Sequence, residues 1–259
     1  MAQVRKQLVI YDFDWSMADQ DTDRWIFEVN DIALRRRMKD NPDNMQWTDL
    51  VAQCCEKLHA AGGTREDIEN ALRVMPFHPA MIRAIKKLKS DSVPNTTLLC
   101  LSNANQVFID TILEHRGLRD AFDEIITNPA TWRSDGLLQV RRRIDPSGRQ
   151  HSCQVGCSPN MCKGEELEAY LNRKGSDGFY DRMVYVGDGK NDFCPILRLR
   201  EQDVVLARVG RGLEERIKEE GAASGLKARV IYWGGAWEVE ELFPKLGQAE
   251  GREWLADDM

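Results

Sequence analysis

The sequence predicts an α/β fold, a doubly wound parallel sheet into which an α-helical segment is inserted. Short, nearly continuous apolar runs recur along the chain, and several end abruptly in small or acidic polar residues. Amphipathic helical patterns alternate with them. Apolar runs without polar alternation suit strands buried on both faces, and strand–helix alternation suits a parallel sheet covered on both sides.

Taken in chain order, Gln7-Leu-Val-Ile-Tyr11 is the first strand, ending in Asp12-Phe13-Asp14. Residues 18–76 contain no convincing strand and read as helices. Within them Thr64-Arg-Glu-Asp67 has the form of an N-cap, followed by Ile68, Ala71, Leu72 and Met75 on one face. Thr97-Leu-Leu-Cys-Leu101 is the next strand and runs into Ser102-Asn103. Phe108, Ile109, Ile112 and Leu113 share a helical face that Gly117 is placed to end. Turn signals at Ser134-Asp135-Gly136 and Pro146-Ser147-Gly148 mark 128–148 as a β hairpin or short extra strands. The run Arg141-Arg142-Arg143 inside it reads as a solvated edge. Leu167, Tyr170 and Leu171 form another helical stripe, closed by Gly175. Arg182-Met-Val-Tyr-Val186 ends in Gly187-Asp188-Gly189, and Val204–Ala207 and Arg229–Tyr232 complete the strands. The organisation expected is a core of residues 1–17 and 77–247, an inserted helical cap of 18–76, and a loosely held polar tail of 248–259.

Composition narrows the function classes. The 259 residues carry 36 Lys+Arg against 42 Asp+Glu, a net charge of −6, with 42% hydrophobic and 30% charged residues. That is the balance of a folded globular protein. The acidic excess argues against nucleic acid or an anionic membrane as partner. No apolar run approaches the roughly 20 residues that span a bilayer. The start, MAQVRKQLVIYDFD, has no apolar signal core with a small-residue cleavage site, so a cytoplasmic location is expected. An odd number of cysteines, seven, fits that reduced setting. His151, Cys153, Cys157 and Cys162 cluster in sequence and admit a zinc reading. No second C-x-x-C accompanies them, so reduced thiols packed in a loop are the preferred reading.

Ligands of doubly wound folds sit at the carboxyl ends of strands, where Asp12, Asp14, Ser102 and Asp188 fall. Taken singly, each of these is a common turn residue. Their joint order is more specific: Asp12-Phe-Asp14, Ser102, Lys163, then Gly187-Asp-Gly-Lys-Asn-Asp192. This order resembles the haloacid-dehalogenase superfamily of phosphohydrolases. Cys157-Ser-Pro-Asn-Met-Cys-Lys-Gly164 and Gly187-Asp-Gly-Lys-Asn-Asp-Phe-Cys-Pro195 resemble the branch that contains the phosphoethanolamine/phosphocholine and pyridoxal-phosphate phosphatases.

The resemblance implies a Mg²⁺-dependent phosphomonoesterase acting on a small phosphorylated metabolite. Asp12 would be the nucleophile, and Asp14 the general acid and base. Asp12, Asp188 and the Asp14 carbonyl would hold Mg²⁺, a hard cation that offsets the carboxylates' repulsion of phosphate. Lys163 would hold the nucleophile and phosphoryl oxygens. Ser102 and the backbone at Asn103 would bind phosphate, and Asp192 would orient Lys163 or a metal-bound water. Asp23 is the specificity candidate for an amine, or a cap of the first inserted helix. Trp15 stands where the branch usually has an acidic residue, and it either packs under the cap or stacks on the leaving group. Trp25, Trp47 and His78 are weaker candidates for the cleft wall. Phosphoethanolamine, phosphocholine, pyridoxal phosphate, a thiamine-type phosphate and a specialised-pathway intermediate all remain open as substrates. The competing readings are a phosphotransferase, a C–halogen hydrolase, which Asp14 argues against, and a catalytically weak binding or regulatory protein. A monomer or homodimer is expected.

Overall fold

A computed structural model describes residues 4–246. Strand β1 (Lys6–Tyr11) is followed by four helices, α1 (Thr22–Asn30), α2 (Ile32–Asp40), α3 (Trp47–Ala60) and α4 (Arg65–Arg73). Helix α5 (Pro79–Ser90) then leads to β2 (Asn95–Asn105), α6 (Gln106–His115) and β3 (Glu124–Asn128). The antiparallel pair β4 (Ala130–Trp132) and β5 (Leu138–Val140) precedes α7 (Lys163–Lys174) and β6 (Arg182–Gly187). The chain closes with α8 (Phe193–Ile196), β7 (Val204–Arg208), α9 (Gly212–Glu220), β8 (Arg229–Trp233) and α10 (Ala236–Leu246). The polar tail expected after Gly247 lies outside the described residues.

Six strands form one parallel sheet in the order β3-β2-β1-β6-β7-β8. From β1 the chain builds outward through β2 and β3, and from β6 it builds the other way. The order therefore reverses between β1 and β6, and a crevice opens at the carboxyl ends of those two strands. Strand alternation sends Val9 and Tyr11 to one face, packed with residues of α5, α6 and α10. Leu8 and Ile10 face the other way, onto α7, α8 and α9. Burial of β1 on both faces is why its sequence reads as an unbroken apolar run.

The hairpin expected at 128–148 is present as β4–β5, but β3 immediately before it was not anticipated. In Glu124-Ile-Ile-Thr-Asn128 only two apolar residues stand together, because this strand pairs on one side alone, with β2. The Arg141–Arg143 run is not uniformly a solvated edge. Arg142 pairs with Asp49 of α3, Arg143 pairs with Glu166 of α7 at 2.6 Å, and Arg141 is exposed.

The four inserted helices share an apolar cluster with the sheet face that carries Val9 and Tyr11. Helix α4 begins at a capping box in which Thr64 and Asp67 exchange hydrogen bonds, an arrangement worth about 1 kcal/mol. Its buried face presents Ile68, Ala71 and Leu72, and α4 packs on α1 and α6. Glycines at 117 and 175 adopt φ of +62° and +53° after α6 and α7, the left-handed region that ends helices cheaply only for glycine.

Candidate active site

The loop after β1 is fixed to β6 by a backbone hydrogen bond from Asp12 N–H to Val186 O at 2.9 Å. Register pairs Tyr11 with Cys100 of β2 and with Val186 of β6, so Asp12, Ser102 and Asp188 emerge at one end of three adjacent strands. Phe13 points away into the core, fully buried. Asp14, partly buried, turns toward the inserted helices and accepts Thr22 N–H at 3.0 Å and Thr22 Oγ1–H at 3.1 Å. Thr22 opens α1, so Asp14 is anchored to the first inserted helix.

Lys163 is the first residue of α7 and is 1% exposed. Its Nζ lies 2.8 Å from Asp12 Oδ1 and 2.7 Å from Asp192 Oδ1. Burial works against its charge, but Asp12 and Asp192 overcome that and hold it protonated beyond the ordinary lysine range. Asp192, fully buried, accepts four donors. Lys163 and Tyr185 OH reach Oδ1 at 2.7 Å each, and the Asp188 and Gly189 N–H groups reach Oδ2 at 3.0 and 2.9 Å. Gly187 makes this possible, because a Cβ there would lie 2.8 Å from the Asp192 carboxyl.

Asp12, Asp188 and Asp192 bring carboxylate oxygens within 4.8 Å of one another. Burial, then Asp192, lifts Asp12 to about 7, with Lys163 pulling the other way. Burial, then Asp12, lifts Asp188 to about 8. Asp14 is raised well above the carboxylate range by burial, then by Asp21 and Asp23, which places those two charges near it. These carboxylates are short of positive charge. Asp12 Oδ2 and Asp188 Oδ2 receive no hydrogen bond among the described residues, whereas both Asp192 oxygens are already used. An all-oxygen, desolvated and anionic set fits a hard divalent cation held by Asp12 and Asp188. Ser16 Oγ donates to Asp188 Oδ1 at 3.2 Å.

Ser102 is buried and accepts Ala104 N–H at 3.2 Å. Asn103 belongs to a side-chain network: its Oδ1 accepts Asn191 Nδ2–H at 3.0 Å, and its carbonyl accepts Asn128 Nδ2–H at 2.6 Å. Asn160 donates to Asn128 Oδ1 at 3.2 Å. Asn128, Asn160 and Asn191 were not singled out from sequence, where an isolated Asn reads as a turn residue.

Asp21 caps α1 by accepting Arg24 N–H at 3.0 Å, and Asp23 lies buried in its first turn, accepting Trp47 Nε1–H at 2.7 Å. Burial, then Asp21, lifts Asp23 to about 7. Trp25 donates to Ala71 O at 2.8 Å, and exposed His78 caps α5 through Nδ1, so both serve the scaffold. Trp15 sits at φ +60°, a conformation bulky residues adopt only when neighbours enforce it. Arg208 donates to its carbonyl at 2.5 Å, and the Arg211 guanidinium lies 3.8 Å from its ring centroid. Its ring already has a cation on it, supplied by the protein. Sequence reasoning missed both arginines. Of the cysteine group, Cys153, Cys157 and Cys162 do come together, but the fourth member is Cys194. His151 instead places Nε2 3.0 Å from Ser158 O.

A family model described as "Putative Phosphatase" matches residues 7–246. The chain is 33% identical over 241 residues to a thiamine phosphate phosphatase-like protein of Arabidopsis thaliana, covering 93% of this chain and 95% of that one. It is 35% identical to inorganic pyrophosphatase 1 of the same plant, covering 88% and 75%. With a pyridoxal phosphate phosphatase of Rattus norvegicus it shares 30%, covering 90% and 95%. The fold resembles an apo phosphoserine phosphatase with a TM-score of 0.54 at 19% identity, covering 83% of this chain and 99% of that one. No helix among the described residues is long and apolar enough to cross a membrane.

Proposed function

This chain belongs to the "Putative Phosphatase" family of the haloacid-dehalogenase superfamily, and on that premise we propose that it hydrolyses a small phosphorylated metabolite through a phosphorylated Asp12. The observation that carries the reading is Lys163 buried between Asp12 and Asp192, with Asp188 beside them and a proton-retaining Asp14 two residues beyond Asp12.

Asp12 attacks phosphorus while the ester P–O bond breaks. Asp14, protonated because it is buried near Asp21 and Asp23, gives its proton to the leaving oxygen. As a carboxylate it then takes a proton from the water that attacks phosphorus, and the bond to Asp12 breaks to release phosphate. Lys163 keeps Asp12 in place and faces the incoming anion, while Asp192 fixes Lys163. Ser102 Oγ and the Asn103 backbone offer donors at the neighbouring strand end. Asp12 and Asp188, with the Asp14 carbonyl, would hold Mg²⁺. When bound, the ion neutralises carboxylate charge and polarises the phosphoryl group.

The inserted helices, tied to Asp14 through Thr22, are read as a cap, residues 18–76, over the strand ends of the sheet. Asp23, buried near Asp14, recognises a cationic group on the leaving alcohol, which suits a phosphorylated amine or a vitamin phosphate. Trp15 and Arg211 favour a second reading, an inorganic diphosphate. Arg211 acts electrostatically on Asp188 and would meet a second phosphoryl group.

A panel of phosphoethanolamine, phosphocholine, pyridoxal phosphate, thiamine phosphate and pyrophosphate, assayed with Mg²⁺, tests the assignment. Amine or vitamin monoesters are expected to lead, with a loss of preference in Asp23→Asn. Pyrophosphate leading, with loss in Arg211→Ala, selects the second reading. Absence of turnover on every member, and on p-nitrophenyl phosphate, would refute both.

A further inference from the structure

We propose that Cys153, Cys157, Cys162 and Cys194 form a closed tetrahedral site for a structural zinc ion, separate from the carboxylate site. All four Sγ atoms lie within 4.8 Å of one another. Cys153 is 3.6 Å from Cys157 and 3.5 Å from Cys194, and Cys162 is 3.6 Å from Cys194. A zinc–thiolate bond of about 2.3 Å gives a tetrahedron with edges of about 3.8 Å, within about 0.3 Å of those three separations, and no sulfur pair exceeds that edge by more than about 1 Å.

The surroundings are built for sulfur that carries charge. Val155 N–H points to Cys153 Sγ at 3.4 Å, two residues on, and Glu165 N–H points to Cys162 Sγ at 3.4 Å at the start of α7. Gly156 takes φ +91°, which lets the segment between Cys153 and Cys157 turn back on itself. Gly164 is required by the cluster itself, since a Cβ there would lie 2.5 Å from Cys194 Sγ. Arg198 Nε would lie 3.3 Å from that Cβ, and Arg216 donates to Val155 O at 2.5 Å, so two guanidiniums border a site whose four thiolates outweigh the ion's charge.

Four thiolates with no open position select zinc over the hard ion that suits Asp12 and Asp188. Thiol protons leave to solvent as the ion binds. The site links two segments that also meet through packing and through the ion pairs Lys163–Asp192 and Arg198–Glu168. Cys162 immediately precedes Lys163, and Cys194 follows Asp192 by two residues. A zinc ion here ties together the roots of the Lys163–Asp192 pair, whose charged atoms are 2.7 Å apart. The metal holds these positioning residues in register and takes no part in the reaction.

The test uses the full chain, expressed in zinc-supplemented medium and passed through gel filtration, with metal content read by mass spectrometry. About one zinc ion per chain is expected to survive. It is expected to be lost in Cys194→Ser and Cys153→Ser and retained in His151→Ala and Asp12→Asn. The unaltered chain loaded with Co²⁺ is expected to show thiolate-to-cobalt charge-transfer absorption, which a carboxylate site cannot produce. That spectrum decides the matter even if the cysteine variants fail to fold. The proposal is overturned if the loaded chain lacks the absorption, or if zinc is lost in Asp12→Asn but kept in Cys194→Ser. Iron in place of zinc, or a mass under non-reducing denaturing conditions showing a disulfide among the four cysteines, would overturn it as well.

Discussion

Replacing Asp192 with Asn keeps the shape of the side chain but removes the pattern its position demands. The carboxylate accepts four donors, two at each oxygen. An amide has one accepting oxygen. If that oxygen faces Lys163 and Tyr185, the NH₂ group faces the Asp188 and Gly189 N–H groups, which lose their acceptor. If it faces the backbone, Lys163 meets a donor, although Tyr185 OH can turn to accept. Either way about two buried donors are orphaned, at roughly 1–3 kcal/mol each. Removing one negative charge beside Asp12 returns some of that, because Asp192 is the second cause of the rise in Asp12. The net loss of folding stability is about 2–5 kcal/mol, within the range for breaking a buried ionic network. Urea unfolding in chelator, followed by tryptophan fluorescence, measures it. Tyr185→Phe removes one donor and leaves the others paired, so it is expected to cost only about 1 kcal/mol. Asp192→Asn within about 1 kcal/mol of the parent would show that the four-donor arrangement does not hold the loop.

Three further expectations follow from the same geometry. Asp14→Asn is expected to lower kcat by about 10²–10⁴ on alkyl phosphates and far less on p-nitrophenyl phosphate, whose leaving group needs no proton; equal losses on both would remove Asp14 as the acid. Asp23 has an ordinary value of 3.8 raised to about 7 in the fold, so its proton stabilises the native state fully below 3.8, and that stability is lost as pH rises through about 7. Asp23→Asn is therefore expected to raise Tm at about pH 8, by at most about 4 kcal/mol of stability, with the difference fading toward about pH 4; a gain independent of pH would contradict this. Trp15→Ala is expected to change kcat/KM unevenly across the substrate panel, whereas a uniform change would make the ring a packing element only.

The parallel sheet was legible because strands such as β1, buried on both faces, leave an unbroken apolar signature. Helix ends were legible where glycine adopts a left-handed backbone, at Gly117 and Gly175. Strand β3 escaped because it pairs on one side and needs fewer apolar residues. The carboxylates and Lys163 stood out as a spaced order, but the surroundings that tune them did not. The asparagine network joins residues from β2, the end of β3 and two loops, and no single one differs in sequence from an ordinary turn residue. Arg211 reaches Trp15 only because β7 lies on the far side of β6 from β1 and delivers the start of α9 above the site. Cys194 lies 32 residues from Cys162 and has no local spacing that would pair them. Local sequence carries the elements and the reacting groups, while contacts that depend on strand order emerge only from the fold.

The central claim is that Asp12 carries the phosphoryl group during turnover. Quenching the enzyme during steady-state hydrolysis with Mg²⁺ and treating it with borohydride converts an aspartyl phosphate to homoserine, which peptide mass spectrometry assigns to one position. Homoserine at residue 12, absent without substrate and absent in Asp12→Asn, is the expected result. Continued turnover with residue 12 unmodified, or homoserine at another aspartate, would contradict the account.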